Sequence, residues 1–221
     1  MTSRELQTRF DDINGRVRKA AESVHRDPAS VTLVAVTKTV PTEFIQMAFD
    51  LGHRDFGESR WQESEPKIAS LPSGIVWHFI GVLQSNKAKK IAQHFHVIHT
   101  LDKASQLPEI AKAGTAPDGL IEVNVAMEEQ KSGVSPETLD ALHRNLLESP
   151  GVKFRGLMTI GPPRENPEEM RPVFRQLREM NERLGGQWLS VGMSDNFEVA
   201  IQEGSTHIRV GSALFGERSA R

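Results

Sequence analysis

Six polar side chains of this chain stand near the ends of hydrophobic runs, and one of them is an amine. Lys38 closes the run SVTLVAVTKTVP, residues 30–41. Side chains of a strand alternate between faces, so Val34, Val36 and Lys38 share one face and Leu33, Ala35 and Thr37 the other. A lysine so placed either snorkels from strand to solvent or serves as a nucleophile. His78 in WHFIG, Asn124 in IEVNV, Ser190 and Ser194 in LSVGMS and Arg209 in THIRVGS also lie close to strand C-termini, and together they would converge on one mouth. Two further segments run from strand into helix through glycine and serine: SVGMSDNFEVA through Gly192 and Ser194, and IRVGSALFGER through Gly211 and Ser212. Glycine lets a backbone approach a ligand, a serine hydroxyl donates, and the N–H groups of a first helical turn attract an anion. Ordinary turn and cap chemistry uses the same residues, and Asp195 opposes an anion unless it points away. An amine at the mouth, an anion cradle opposite and an arginine between them describe a site for a phosphorylated aldehyde.

A parallel barrel would place these residues together. Strands are read at 31–37, 53–57, 75–81, 97–101, 119–125, 152–159, 188–192 and 206–210, with helices at 42–51, 59–70, 86–94, 103–113, 136–148, 167–184 and 196–203. Thr42, Ser85, Asp102, Ser135 and Ser194 are the expected caps, and Gly52, Gly114, Gly185 and Gly204 the expected stops. Before them Leu6, Phe10, Ile13, Val17, Ala21 and Val24 form one stripe of a helix running to about His25. Eight strands alternating with helices in 221 residues fit a single α/β domain, a closed (β/α)8 barrel over 31–218 preceded by a helix within 1–27. A doubly wound sheet gives the same alternation. In the barrel, chemistry sits at the C-terminal ends of the strands, and a phosphate commonly sits between the loops after strands seven and eight.

Lysine forms a Schiff base only as a free amine, which desolvation or a neighbouring cation favours. Pyridoxal 5′-phosphate (PLP) needs three contacts of this kind: an imine to lysine, an anion site for its phosphate and a partner for its ring nitrogen. With Arg209 as that partner the ring nitrogen stays largely unprotonated, because a guanidinium donates a hydrogen bond and supplies no proton. The cofactor would then be a weak electron sink.

At AVTKTVP, FGESRWQE, WHFIGVLQSNKAKK, KSGV, GLMTI and the stretch from LSVGMSDNFEVAI to HIRVGSALFGER, the chain resembles the YggS/PROSC family, the PLP homeostasis proteins. The resemblance spans about residues 31–218. It implies a barrel of the alanine racemase N-terminal-domain kind, with PLP covalently bound to Lys38 and its phosphate held around Ser194, Gly211 and Ser212. It further implies Met193 and Ser190 beside the phosphate, Arg209 at the ring nitrogen, and His78, Ile80 and Met158 lining the pocket. Ser59 stands at the position beside the cofactor where the family usually has asparagine.

Composition separates a holder from an enzyme. Racemisation wants a second base across the ring from the lysine, a tyrosine of a partner's extra domain in the racemases. This chain contains no tyrosine and ends at Arg221 after the last barrel element. The expectation is a non-catalytic PLP carrier or buffer in vitamin B6 homeostasis, in transient contact with apo-PLP enzymes. The alternatives are a slow amino-acid racemase and a cofactor-free aldolase-like barrel using Lys38 as nucleophile. With 27 basic and 29 acidic residues the chain has no general field for nucleic acid or anionic membranes. No signal peptide or spanning segment is read, and the absence of cysteine excludes disulfides and thiolate sites and fits a reducing cytoplasm; a cytoplasmic monomer is the expectation. His94, His96 and His99 are a weak metal pattern. Lys87, Lys89 and Lys90 read as a solvated basic face, and Lys131 as a loop lysine or a secondary amine for passing PLP.

Overall fold

The computed structural model describes residues 1–216 apart from Glu129 and Pro163; the closing GER of the last motif is thus described only at Gly216. Eight parallel strands close on themselves in sequence order. They are β1 (Thr32–Val36), β2 (Asp55–Glu58), β3 (Val76–Phe79), β4 (Val97–Leu101), β5 (Asp118–Glu122), β6 (Lys153–Met158), β7 (Trp188–Met193) and β8 (His207–Val210). β1 pairs with β2 on one side, Ala35 against Phe56, and with β8 on the other, Val34 against Arg209. Closure removes both sheet edges and decides between the two architectures: the doubly wound sheet is excluded.

The helices are α1 (Ser3–Glu22), α2 (Thr42–Asp50), α3 (Trp61–Ser70), α4 (Ser85–His94), α5 (Gln106–Ala111), α6 (Pro136–Leu147), α7 (Arg171–Arg183), α8 (Phe197–Gln202) and α9 (Ser212–Phe215). Their apolar faces pack against strand residues such as Leu33, Ala35, Phe56, Ile98, Leu157 and Ile208 in one continuous core. The strand interior is different: Val97, Leu120 and Met158, with Trp188 against them, form a small separate cluster, and polar side chains occupy much of the rest.

Several expected boundaries move for identifiable reasons. α1 is opened by a capping box, Thr2 Oγ1 accepting from Glu5 N–H while Glu5 accepts from Thr2 N–H at 2.6 Å. It stops at Glu22, so Val24 falls outside the stripe and is exposed. α5 begins at Gln106 rather than 103, because the Gln106 side chain itself takes the N–H groups of Asp102 and Lys103, both at 3.0 Å; Asp102 is not the cap. The expected helix 167–184 is a 3-10 turn at Pro167–Met170 followed by α7. The N-cap positions are Pro41 for α2, Gln84 for α4 and Asn196 for α8, in place of Thr42, Ser85 and Ser194, and Ser135 for α6; none of the four makes a side-chain cap hydrogen bond.

α1 lies along the barrel flank against α2, α8 and α9. Its Arg9 donates to the Leu214 carbonyl at 3.0 Å and its Arg16 pairs with Glu198 at 2.6 Å. Leu6, Phe10, Ile13, Val17, Ala20 and Ala21 are buried there. Leu6→Ala should therefore cost about 2–5 kcal/mol of unfolding free energy, read as a fall in the urea midpoint of a single transition. A loss below about 1 kcal/mol would mean that α1 is not part of the cooperative unit.

Candidate functional site

Lys38 lies two residues past the end of β1, half-buried, in a turn closed by a hydrogen bond from Val40 N–H to the Thr37 carbonyl at 2.9 Å. Thr39, a β-branched residue, sits at φ 65°, a conformation that surrounding structure must enforce. The enforcement comes from below. Thr37 donates through Oγ1 to Glu58 Oε1 at 2.8 Å, and Lys67 of α3 donates to that same oxygen and to the Thr37 carbonyl, both at 2.7 Å. Glu58 is fully buried and Lys67 nearly so. Burial pushes the Glu58 carboxyl up, opposed by the charge and hydrogen bond of Lys67 and the hydroxyl of Thr37. Glu58 and Lys67 carried no chemical signal of their own in the sequence. Their role is to hold the lysine-bearing turn.

The two Gly-Ser loops meet. Ser212 Oγ, at the start of α9, donates to Ser194 Oγ at 3.1 Å. Gly192 at φ 95° leaves β7 where a Cβ would come within 2.6 Å of Ala200, so the loop needs glycine for its turn and its packing on α8. Met193 N–H is held by Asn196 Oδ1 at 2.9 Å, while the Met193 side chain and Asp195 are exposed. Gly211 follows β8 with its Cα facing Val36. Lys38, Ser194, Gly211 and Ser212 thus all lie on the C-terminal rim formed by β1, β7 and β8.

Arg209 lies between these loops but deeper, only 4% exposed. Its guanidinium donates to the Ser190 carbonyl at 2.9 Å, to Ser190 Oγ at 2.5 Å and to the Thr159 carbonyl at 2.9 Å. Burial lowers it to about 10, with Glu122 opposing, so it remains a cation at neutral pH.

The structure gives three of the expected site residues the following surroundings. Ser190 is fully buried, and its hydroxyl bonds Arg209 and His99, so it supports the guanidinium rather than the Ser194–Ser212 pair. His78 is 1% exposed, with both ring nitrogens bonded inside the barrel, to Asp55 and His99. Met158 is buried against Val97, Leu120 and Trp188. Neither His78 nor Met158 lines the mouth cavity, because β3 and β6 turn these residues to the interior below the rim. Asn124 clasps its own loop, donating to the Glu128 carbonyl at 2.8 Å and accepting Glu128 N–H.

A cavity of about 660 Å³ opens in the other half of the mouth, lined by Ser59, Trp61, Ile80, Lys87, Glu122 and Lys131 among others. Ile80 and Ser59 both line it, and the Ser59 carbonyl lies where a Cβ on Gly81 would have to be. Lys131 Nζ is 2.8 Å from Glu128, Lys87 faces the cavity, and Lys89 and Lys90 are exposed on α4. His94 ends α4, His96 accepts the Trp77 N–H at 3.0 Å, and His99 is inside the barrel. Glu122 ends β5, the strand diametrically opposite β1 in the closed order. Burial, then Asp102, raises its carboxyl to about 7 against the pull of Arg209. It was not singled out in the sequence, where IEVN reads as a strand end with a charged residue.

The fold and this rim define a class. The alanine racemase N-terminal domain family matches residues 10–219, nearly the whole chain. Within that class, the pyridoxal phosphate homeostasis protein of Aquifex aeolicus is 44% identical over 95% of this chain and 97% of its own length. That of Pseudomonas aeruginosa is 43% identical over 93% of each. The solved structure of PipY from Synechococcus elongatus with PLP bound superposes with a TM-score of 0.77 at 33% identity, covering 90% of this chain and 100% of that one. The chain belongs to the family of pyridoxal phosphate homeostasis proteins.

Glu122 yields a signed pH prediction. Its carboxyl is raised from 4.5 to about 7 on folding, so the native state binds the proton more tightly. The stabilisation from that proton is complete below the unfolded value and is lost as pH rises through about 7. Glu122→Gln removes this loss. Its stability relative to the unsubstituted protein should rise by on the order of 2 kcal/mol between about pH 5 and pH 8, measured by urea unfolding at both. A pH-independent difference would contradict the assignment.

Proposed function

We propose that the protein holds PLP reversibly at the β1–β7–β8 rim, covalently on Lys38, as a carrier or buffer in vitamin B6 homeostasis rather than as a catalyst. PLP supplies a carbonyl that condenses reversibly with an amine, and a phosphate and a pyridine nitrogen that need separate partners. The residues present fit all three needs. The observation that carries the reading is a buried guanidinium between the lysine turn and two converging serine loops. Ser194, Ser212 and the Gly211 backbone take the phosphate. Arg209 faces the ring nitrogen as a donor held by the Ser190 and Thr159 carbonyls. The Thr37–Glu58–Lys67 set fixes the turn from which Lys38 reaches the carbonyl. Arg209 donates and keeps its protons, which leaves the ring nitrogen a poor acceptor of electrons from a bound amine. The PLP in the PipY structure and the names of the relatives support the same ligand and role. Handing PLP to apo-enzymes is part of the reading.

Borohydride reduction of the PLP-loaded protein followed by peptide mass analysis should place the pyridoxyl adduct on the peptide containing Lys38, and Lys38→Ala should lose the visible absorption band and retention through gel filtration. An adduct elsewhere, or unchanged retention in the variant, would remove the assignment.

A second reading, a slow PLP-dependent amino-acid racemase, is favoured by one observation. Glu122 offers a buried carboxyl of raised pKa across the mouth from Lys38, in a place a second base would need. Loss of the alanine α-proton into deuterated solvent separates the two. The holder gives no exchange above that of free PLP, whereas exchange that Glu122→Gln abolishes establishes the racemase.

A further inference from the structure

Beneath the rim, five side chains from five strands form one unbroken hydrogen-bond chain. Asp55 Oδ1 meets His78 Nε2 at 3.0 Å, His78 Nδ1 meets His99 Nε2 at 2.9 Å, His99 Nδ1 meets Ser190 Oγ at 2.9 Å, and Ser190 Oγ meets Arg209 Nη1 at 2.5 Å. The chain begins at the N-terminal end of β2, where the Asp55 side chain is 30% exposed, and passes through His78 at 1%.

Its polarity follows from its two ends when both imidazoles are neutral. The Asp55 carboxylate only accepts and the Arg209 guanidinium only donates, so Ser190 Oγ accepts from Arg209 and gives its own hydrogen to His99 Nδ1. His99 must then carry its proton on Nε2 and donate to His78 Nδ1. His78 in turn carries its proton on Nε2 and donates to the Asp55 carboxylate. Every donor points from cation to anion with both imidazoles neutral. Burial and the charges of His78, His207 and Arg209 hold His99 well below the usual imidazole range. On Asp55 burial alone would raise the carboxyl, but the hydrogen bond and charge of His78, with His53 and His207, bring it below its ordinary value.

We propose that this chain is a positioning relay that fixes Arg209 under the cofactor and loosens it when the histidine pair takes up one proton, so that mild acid speeds PLP release. The proposal rests on the reading of the rim as a PLP site. Its proton balance is one proton in from solvent. The proton on His99 Nε2 passes to His78 Nδ1, making His78 a cation with two donors, and the added proton is taken up at His99 Nδ1. His99 now donates to Ser190 Oγ, whose own hydrogen loses its acceptor inside the barrel. The added charge lies on His78, in the same barrel interior as Arg209. The charged and titratable groups facing His78 are Asp55 and His53 from β2 and the turn before it, and His99 and His96 from β4 and the turn before it. His207 faces it from β8, and Arg209 of β8 faces His99, His207 and Glu122 of β5. His207 is held down at about 3 by burial and by His78.

The test has a part without PLP and a part with it. Two-bond proton–nitrogen NMR of the PLP-free, histidine-labelled protein at about pH 8, above the ordinary histidine range, should show His78 and His99 both protonated at Nε2 and bare at Nδ1. The opposite tautomer at either ring overturns the relay. In the PLP-loaded protein, release into an excess of a PLP-trapping amine should be about tenfold faster at pH 6 than at pH 8. Asp55→Asn should move that transition about one pH unit downward, since it removes the anion that favours the charged imidazole. In His78→Gln, which keeps an acceptor for His99 and a donor for Asp55 but cannot ionise, the two rates should agree within about twofold. An acid transition of wild-type size in His78→Gln overturns the coupling. Failure of the unsubstituted protein to retain PLP at either pH would sink the functional reading instead, and the tautomers of the PLP-free protein would be unaffected.

Discussion

A permanent cation near the middle of a barrel is the constraint from which the rest of this structure follows. Arg209 is almost wholly buried, and an unpaired charge in such a place would cost many kcal/mol. The protein meets this cost with oxygen atoms: two carbonyls and a hydroxyl receive the guanidinium, and the Glu122 carboxyl is the charge that favours its protonated form. An ordinary barrel of this kind fills its interior with layers of branched aliphatic side chains. Here Asp55, His78, His99, Ser190, His207 and Arg209 occupy that space, and the apolar interior shrinks to Val97, Leu120 and Met158 with Trp188. Stability must then come largely from the outer layer, where the helices cover the strands and the long apolar list resides.

The same constraint arranges the rim. Because Arg209 is tethered from below, its position relative to the β7 and β8 loops is set by strands rather than by loop conformation. Lys38 is treated alike. Its turn contains a threonine at positive φ, and the strain is held by Thr37, whose hydroxyl and carbonyl are both anchored by the buried Glu58–Lys67 pair. Two buried polar clusters therefore support two rim residues, one from β2 and α3, the other through the barrel axis. Such a pair, broken by loss of either member, leaves an uncompensated charge, which makes each cluster a device for geometry more than for net stability.

What was legible in the sequence was what one strand or one turn contains. Alternation within SVTLVAVTK separates Leu33 and Ala35, which face the helices, from Val34 and the lysine, and the Gly-Ser pairs announce the two loops whose hydroxyls meet. The barrel itself was legible because eight strand–helix periods leave few other solutions. Contacts between strands were not, since they depend on register and stagger around the closed sheet. His78 belongs with Asp55 through the pairing of β2 with β3, and Ser190 with Arg209 and His99 across the axis. Reading strand ends alone therefore missed the hydrogen-bond partners of His78 and Ser190, and left Asp55 and Glu122 unnoticed. In QHFHVIHT, discounted in the sequence as a weak metal pattern, alternation and the strand start send His94, His96 and His99 to three different surroundings.

The two halves of the mouth differ in a way that bears on holding against catalysis. The half built by β1, β7 and β8 has donors for an anion, a tethered cation and an amine. The half lined by Ser59, Ile80, Lys87, Glu122 and Lys131 is open and roomy, and its one carboxyl of raised pKa is largely protonated at the acid side of neutrality. A group that is to remove a proton must be ionised and held close to the reacting carbon. Glu122 meets the first condition only above about 7, and meets the second only if a bound amine reaches across to β5. In the proposed PLP site, a cation that keeps its proton at the ring nitrogen and a base only half ionised across the mouth would both slow chemistry without weakening the grip on the ligand. That asymmetry supports the proposed role in binding and release.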